Sequence, residues 1–573
     1  MRNFIDAFVV STRQKLKAFR INQLGSVTQI TAVAAFPMMI AAGAAIDTVR
    51  IGREQVAFNG AVDSAVLAVA ADDRASLAGL STSQQASRIA ELEVFAKKYL
   101  TENYTPQFGD DTEISVDIDI TGSTIDLYAT HDFPTTIMKL TGVEEVNLTS
   151  HAQVMKAMRP IEIALVMDTT GSMSSGGKIA GAKTAAHTLL NTLYAGSASA
   201  VPQSEFIRVA LVPFSGAVRL SKTAYDYSAS WIDTTGVNPL SKLSYNIPAG
   251  WDNYSSWSKL KSSSSTFMSW NGCVEARNRG TAGAGTDYNV NDASPTITTP
   301  ATLFPAFFNP DTVGTSYGYN YIGTTGTPNE YTGLTTAQQN DTTTAGLLWK
   351  QENQNKYLNR VISTEASGAD GPWSNCTATP VIPMTYKRAN VEAGIDAMTA
   401  KGPTLIAEGL AWGWRVLSPT APFTKVEGTG TIPADTISTY GHPRWQKIMV
   451  LMTDGDNDLS AGSYAVNGTT YSAYGRGKET PLTYNRFGTT TDSAIMGVLD
   501  NAMLEVCAKI KAQGIQLYVT SFGTGVSTTT RTRLQTCATD PAHYQHNTSS
   551  AELAAFFNHI GEDVLNKSIY VSK

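Results

Sequence analysis

The spacing of apolar residues changes character along the chain, and each change predicts a different kind of element. Residues 26–46, SVTQITAVAAFPMMIAAGAAI, hold no charged side chain over about the twenty residues that one helical membrane span needs. The run that follows, REQVAFNGAVDSAVLAVAADDR, keeps an amphipathic rhythm, so the span is expected to continue as helix. Residues 82–104 are polar and helix-favouring. EISVDIDITGSTIDLYATHDF then alternates at the strand period, with a turn expected at 121–123. Together these segments predict a small α+β module ending near Met158.

From Ile161 the rhythm becomes one of short apolar runs separated by amphipathic helices. IEIALVMD, FIRVALVPFS, KIMVLMTDG and IQLYVTSFG read as strands buried on both faces of a sheet. Helical patterns fall between them, in GKIAGAKTAAHTLLNTL, RANVEAGIDAMTA, TLIAEGLAWGWRVLS and TTDSAIMGVLDNAMLEVCAKIKAQ, and AELAAFFNHIGEDVLN closes the region. This alternation predicts an α/β domain with a mostly parallel sheet.

Between about 219 and 383 the alternation stops, and Ser, Thr, Asn, Gly and aromatic residues take over, as in TSYGYNYIGTTGTPNEY. Trp231, Trp251, Trp257, Trp270, Trp349 and Trp373 all lie there. Disordered segments lack aromatics, so a folded, loop-rich insertion is expected, its aromatic rings either packing a core or binding glycans or another protein surface. A shorter insertion, about 456–490, follows the third strand. No fixed-period repeat interrupts the pattern.

Charge adds a compartment. Charged residues are only 16% of the chain and the formal net charge is -6, which argues against nucleic acid as a partner. Arg2, Arg13, Lys15, Lys17 and Arg20 precede the apolar segment, and that excess predicts a cytoplasmic N-terminus, with everything after Asp47 outside the cytoplasm. A cleaved secretory signal is the competing reading, since AAGAA offers small residues to a peptidase. The length of the apolar stretch and its helical continuation favour an uncleaved signal-anchor. GSVTQITAV somewhat resembles a prepilin junction at Gly25, but Gln29 and Ile30 stand where a processed pilin has its acidic residue, so an intact anchor is preferred.

Cys273, Cys376, Cys507 and Cys537 suit an oxidising compartment and allow three pairings. Cys273 and Cys376 share the irregular region, and Cys507 and Cys537 flank one expected strand, so these two local bridges are preferred. No CxxC spacing points to a zinc or redox site.

The chemistry concentrates at IEIALVMDTTGSM, where an apolar strand runs into Asp168 with no Lys, Arg or His adjacent. A carboxylate buried there costs several kcal/mol unless something compensates it. Asp168, Thr170 and Ser172 stand at i, i+2 and i+4, one face of an extended stretch. Thr404 opens a helix and Asp454 ends a strand, both at the carboxyl edge where α/β sheets bind ligands. Two carboxylates and three hydroxyls make an all-oxygen set that suits a hard divalent cation, Mg²⁺ first and Mn²⁺ or Ca²⁺ as alternatives, with waters completing the shell. Helix N-capping is the plainer reading for Asp168, Thr170 and Ser172, but it leaves Thr404 and Asp454 unexplained. Asp456 and Asp458 read as a solvated acidic turn, and His543 and His546 as surface histidines rather than a metal pair.

DTTGSM, the Thr404 segment and MTDGDND together resemble the metal-ion-dependent adhesion site (MIDAS) of von Willebrand factor A domains, with Thr170 where that family usually has Ser. The resemblance implies a doubly wound, mostly parallel sheet over about 161–568. It implies that Thr170, Ser172 and Thr404 coordinate through hydroxyls, and Asp168 and Asp454 directly or through water. It also implies binding rather than turnover, with one coordination position open to a partner's acidic side chain.

The anchor, AVDSAVLAVAADDR, NGCVEAR, NCTATPVIPMTY and GLAWGWRVLSPTAPF further resemble the TadG-like proteins of bacterial Flp (Tad) pilus assembly. This resemblance implies a TadE/G-like region within about 16–70 and partners among pilus or envelope proteins. The resulting layout is a cytoplasmic basic segment at 1–25, a transmembrane signal-anchor at 26–46, a helical stalk and small module at 47–158, and a periplasmic A domain on a single-pass protein of the bacterial inner membrane. A surface-displayed adhesin is the main alternative. A metal-dependent hydrolase is a weaker one, since the chain has no HExxH, GxSxG or P-loop.

Overall fold

The computed structural model describes residues 23–572 apart from 76, 78–79, 107–112, 122–123, 196–205, 222–228, 243–249, 278–287, 312–320, 323–330, 344–345, 347–349, 351–352, 363–370, 430, 460–469 and 478–485. The basic residues before position 23, Trp349 and most of the expected turn at 121–123 therefore lie outside the described residues. The chain divides into two compact units, one running to Ala157 and taking in the strand from Ile569, the other Met158–Ser197 with Val201–Ser568.

In the first unit a single helix, α1 (Gln23–Ala71), contains the charge-free stretch and its amphipathic continuation. It is the one helix among the described residues long and apolar enough to cross a membrane. Its early residues Ile30, Val33, Phe36, Met38 and Met39 are exposed. Its later residues Phe58, Val62, Val66 and Val69 recur at helical spacing and are buried against Leu92, Ala96 and Leu100 of α2 (Thr82–Asn103). Strands β1 (Ile114–Thr121), β2 (Thr124–Pro134) and β3 (Glu145–Met158) form an antiparallel meander. Their inward residues, Ile118, Ile125, Leu127 and Phe133 among them, close the same core. The C-terminal strand β10 (Ile569–Ser572) adds to β3, giving the order β1-β2-β3-β10.

The second unit is built on a six-stranded sheet. In chain order its elements are β4 (Ile161–Asp168), α3 (Lys178–Ala195), β5 (Ile207–Phe214), β6 (Ile382–Thr385), α4 (Arg388–Ala397) and α5 (Ile406–Leu417). They continue with β7 (Gln446–Thr453), α6 (Asp492–Ala512), β8 (Gln516–Phe522), α7 (Thr528–Cys537), β9 (Tyr544–Asn547) and α8 (Ser550–Ser568). The strand order is β6-β5-β4-β7-β8-β9, with only β6 antiparallel to its neighbour. Alternate residues of each central strand face opposite cores. Ala164, Val166, Met449 and Leu451 pack with α5 and α6, while Ile163, Leu165, Val450 and Met452 pack with α3 and α8. That is why the middles of these strands, Ile163–Met167 and Ile448–Met452, read as unbroken apolar runs.

The long insertion is folded. Trp257, Trp270, Val274, Phe304, Phe308 and Tyr357 are buried and continuous with the core on the α5 side of the sheet. Trp257 packs edge-on to Phe308 at 6.0 Å and stacked on Trp373 at 6.3 Å, and Phe304 meets Trp412 of α5 at 4.8 Å. Of the two roles open to the aromatic residues, core packing is the one these rings fill. Cys273 is bonded to Cys376 and Cys507 to Cys537, the two local pairings.

A candidate metal centre at the carboxyl edge of the sheet

β4 and β7 are parallel neighbours whose register pairs Met167 with Met452, which sets Asp168 level with Thr453 just before Asp454. The Thr453 hydroxyl donates to Asp168 Oδ2 at 2.7 Å, and the Thr170 backbone N–H donates to Asp168 Oδ1 at 2.8 Å. Asp168 has no exposed surface. Burial, with the Asp454 charge adding to it, pushes its carboxyl up to about 6 against these hydrogen bonds.

Beyond Asp168 the chain makes a one-turn 3₁₀ segment, Gly171–Ser174, that turns Ser172 back over the sheet edge. Thr170 Oγ1 and Ser172 Oγ are 3.0 Å apart, and Ser172 Oγ donates to Asp454 Oδ1 at 2.6 Å. Thr404 is placed by two stitches. The Gly171 N–H donates to the Gly402 carbonyl at 2.8 Å, and Thr404 and Asp458 exchange backbone hydrogen bonds at 3.1 and 3.0 Å. Gly455 keeps the space between these groups open. A Cβ there would sit 3.7 Å from Ser172 Oγ and 3.8 Å from Thr404 Oγ1. All five expected residues thus meet at one edge of the sheet. Asp168, Thr170, Thr404 and Asp454 are buried and Ser172 is exposed, so the cluster opens to solvent on the Ser172 side.

The basic residue missing beside these carboxylates in sequence is supplied in space. Asp454 does have a basic partner: Lys178 Nζ donates to its Oδ2 at 2.7 Å. The lysine is ten residues beyond Asp168, and Gly176 and Gly177, both at positive φ, turn the chain so that α3 begins over the site. Thr453 and Asn457 also escaped the sequence reading. Asn457 Oδ1 accepts the Ile406 N–H at the start of α5 at 2.9 Å, and its amide donates to Asp500 Oδ1 at 2.9 Å. Adjacency to Asp454 was the only signal for either. The acidic turn is partly structural as well, since Asp456 Oδ1 accepts the Ser527 N–H at 3.0 Å.

The histidines do not converge. His543 is buried against Tyr518 at 4.1 Å between ring centres, contrary to a surface position, while His546 Nδ1 and Ser521 Oγ lie 2.8 Å apart. Among the described residues no group of three or more His, Cys, Asp or Glu side chains could hold a metal. The Asp168–Thr170–Ser172–Thr404–Asp454 set offers two carboxylates and three hydroxyls, a donor chemistry that fits a hard ion.

The insertion reaches the same edge. Thr169 Oγ1 donates to the Phe214 carbonyl at 2.9 Å and lies 3.1 Å from Thr377 Oγ1, next to the disulfide at Cys376.

No protein-family model and no curated protein matches the chain. Among solved structures, the pilus adhesin SpaC from Lactobacillus rhamnosus GG is 12% identical, over 81% of this chain and 36% of that one, with a TM-score of 0.30. The chain thus spans little more than a third of that adhesin. The vWF domain of the type V pili tip protein Mfa5 from Porphyromonas gingivalis is 11% identical, over 73% and 98%, with a TM-score of 0.28. The PilB minor pilin from Streptococcus sanguinis is 11% identical, over 80% and 79%, also at 0.28. Likenesses this distant carry no functional argument, which rests on the residues themselves.

Proposed function

We propose that the chain is a membrane-anchored, extracytoplasmic binding protein. Its A-domain metal site contacts an acidic side chain of a pilus or envelope protein through a divalent cation, during Flp/Tad-type pilus assembly. The observation that carries this reading is the meeting of Asp168, Thr170, Ser172, Thr404 and Asp454 at one sheet edge, around a space that a Cβ on Gly455 would enter. Thr170, Ser172 and Thr404 would hold the ion through hydroxyls, with the carboxylates binding directly or through water. The cation, Mg²⁺ foremost, would supply a Lewis-acidic position for a carboxylate. The exposed face at Ser172 is where a partner has access.

The assignment to Tad assembly is supported by the sequence resemblance, and the inner-membrane location by the length and apolarity of α1. Binding without turnover is part of the same proposal. Two measurements test it. Calorimetry with Mg²⁺ or Mn²⁺ should show binding to the wild type and none to Asp168→Ala, and equal binding would remove the site. Co-purification from the native envelope should lose a partner when a chelator is added. A partner set unchanged by chelation would sink metal-dependent docking.

A further inference from the structure

The connection between β2 and β3 is clasped to α1 at the end of its charge-free stretch. A Cβ on Gly43 would overlap the Ile137 side chain, so helix and loop meet there without a spacer. One turn later, the fully buried Asp47 carboxylate accepts the backbone N–H groups of Thr136, Ile137 and Met138, the last two at 2.7 and 2.8 Å. Arg50 Nη1 donates to its other oxygen at 3.1 Å. The loop therefore cannot drift along the helix.

Its depth follows from the helix. Residues 26–46, at 1.5 Å each, span about 31 Å, the thickness of a bilayer's hydrocarbon core. Ile46 then lies at one boundary, and Gly43, with Ile137 against it, lies about one turn inside. The loop's tip is built for that position. Leu140 is 73% exposed and Val143 37%, and Ile46 on the helix is 59% exposed. Asp47 satisfies three peptide N–H groups that lipid would otherwise leave without a partner. Lys139 stands next to Leu140 and is exposed, placed for lipid phosphates, while the exposed Glu144 and Glu145 mark the base of the loop, where entry stops.

We propose that this loop is a second membrane contact, seating Leu140 and Val143 in the surface of the bilayer that α1 crosses. The proposal rests on α1 being a membrane span. The two contacts together fix the rotation of α1 about its axis and the height of the first unit above the lipid, which a lone helix does not.

The test uses the full-length chain in phosphatidylethanolamine–phosphatidylglycerol vesicles. Single cysteines are added as Leu140→Cys, Val143→Cys, Met38→Cys or Thr121→Cys and labelled with a polarity-sensitive fluorophore without reductant, since the native cysteines are paired. Thr121 is the control: its partner Thr124 opens β2, ten residues along the strand from Pro134, where the loop begins, roughly 34 Å away at the strand rise. Spin-labelled lipids then report depth. The expected result is quenching at Leu140 and Val143 by a label near the headgroup, at least about threefold above Thr121, with Met38 quenched by a label deep in the chains. Quenching at Met38 without quenching at Leu140 and Val143 overturns the loop contact and leaves the anchor standing. No quenching at Met38 refutes the span and the loop contact together. Blue-shifted emission at Leu140 that lipid labels do not quench means that protein covers the tip, and this also overturns the proposal.

Discussion

Asp168→Asn should stabilise the cation-free protein while removing its capacity to bind the ion. The wild-type carboxyl is wholly buried and its pKa is raised from 3.8 to about 6, first by burial and then by the Asp454 charge. Between about pH 4 and 6 the folded state therefore holds more protons than the unfolded one, and stability falls as pH rises through that window. The span of about two pH units corresponds to about 3 kcal/mol lost by pH 7. Asparagine keeps the shape. Its oxygen still accepts the Thr170 N–H, and its amide can donate to Thr453 Oγ1, which turns its own proton toward the Gly455 carbonyl 3.4 Å away. Thermal unfolding in chelator from pH 4.5 to 7.5 reads the effect. In a unit of roughly 400 residues the advantage of Asp168→Asn at pH 7 is about 3 °C, vanishing near pH 4. Added Mg²⁺ should raise the wild-type transition only. A difference between the two proteins that does not change with pH would refute the claim that this carboxylate is destabilising when ionised.

Lys178→Met should raise divalent-cation affinity about tenfold, because the ammonium on Asp454 competes with the ion and its loss costs the cation-free state about 1.4 kcal/mol; unchanged affinity by calorimetry would refute the competition. Arg208→Met removes one of two cations from the fully buried Glu162, which also holds Lys447 at 2.5 Å, along with bonds to Tyr386 and the Thr436 carbonyl. The expected loss is about 3 kcal/mol in denaturant melts. Cation affinity should stay unchanged, since Glu162 lies six residues down β4 from Asp168, roughly 20 Å away; a parallel loss of binding would contradict that separation.

The central strands β4, β5, β7 and β8 were legible because both of their faces are buried over an apolar middle, Ile163–Met167, Val209–Phe214, Ile448–Met452 and Leu517–Val519, with the polar residues Glu162, Arg208, Lys447 and Asp168 near the strand ends. The edges were not. β9 is YQHN, polar and only partly buried, and β6 is four residues long after an irregular insertion, so neither has a period to read. Helix α7, TTTRTRLQTC, buries only Thr530, Leu534 and Cys537, too sparse a stripe to stand out. At the candidate site, Asp168, Thr170 and Ser172 share one short stretch, and Thr404 and Asp454 were marked by a helix start and a strand end at the carboxyl edge, a set the family resemblance then matched. Thr453 and Lys178 had no such pattern behind them.

What the sequence determined by itself was periodicity, charge-free length and local donor spacing, because each depends only on neighbours along the chain. Convergence is a different quantity. Asp168 meets Thr453 because the β4–β7 register pairs Met167 with Met452, and Ser172 meets Asp454 across 282 positions because that register sets the two strand ends level. Lys178 reaches Asp454 because two glycines turn the chain back before α3 begins. Only the packed sheet decides which distant groups share a few ångströms, and whether a buried carboxylate there is compensated.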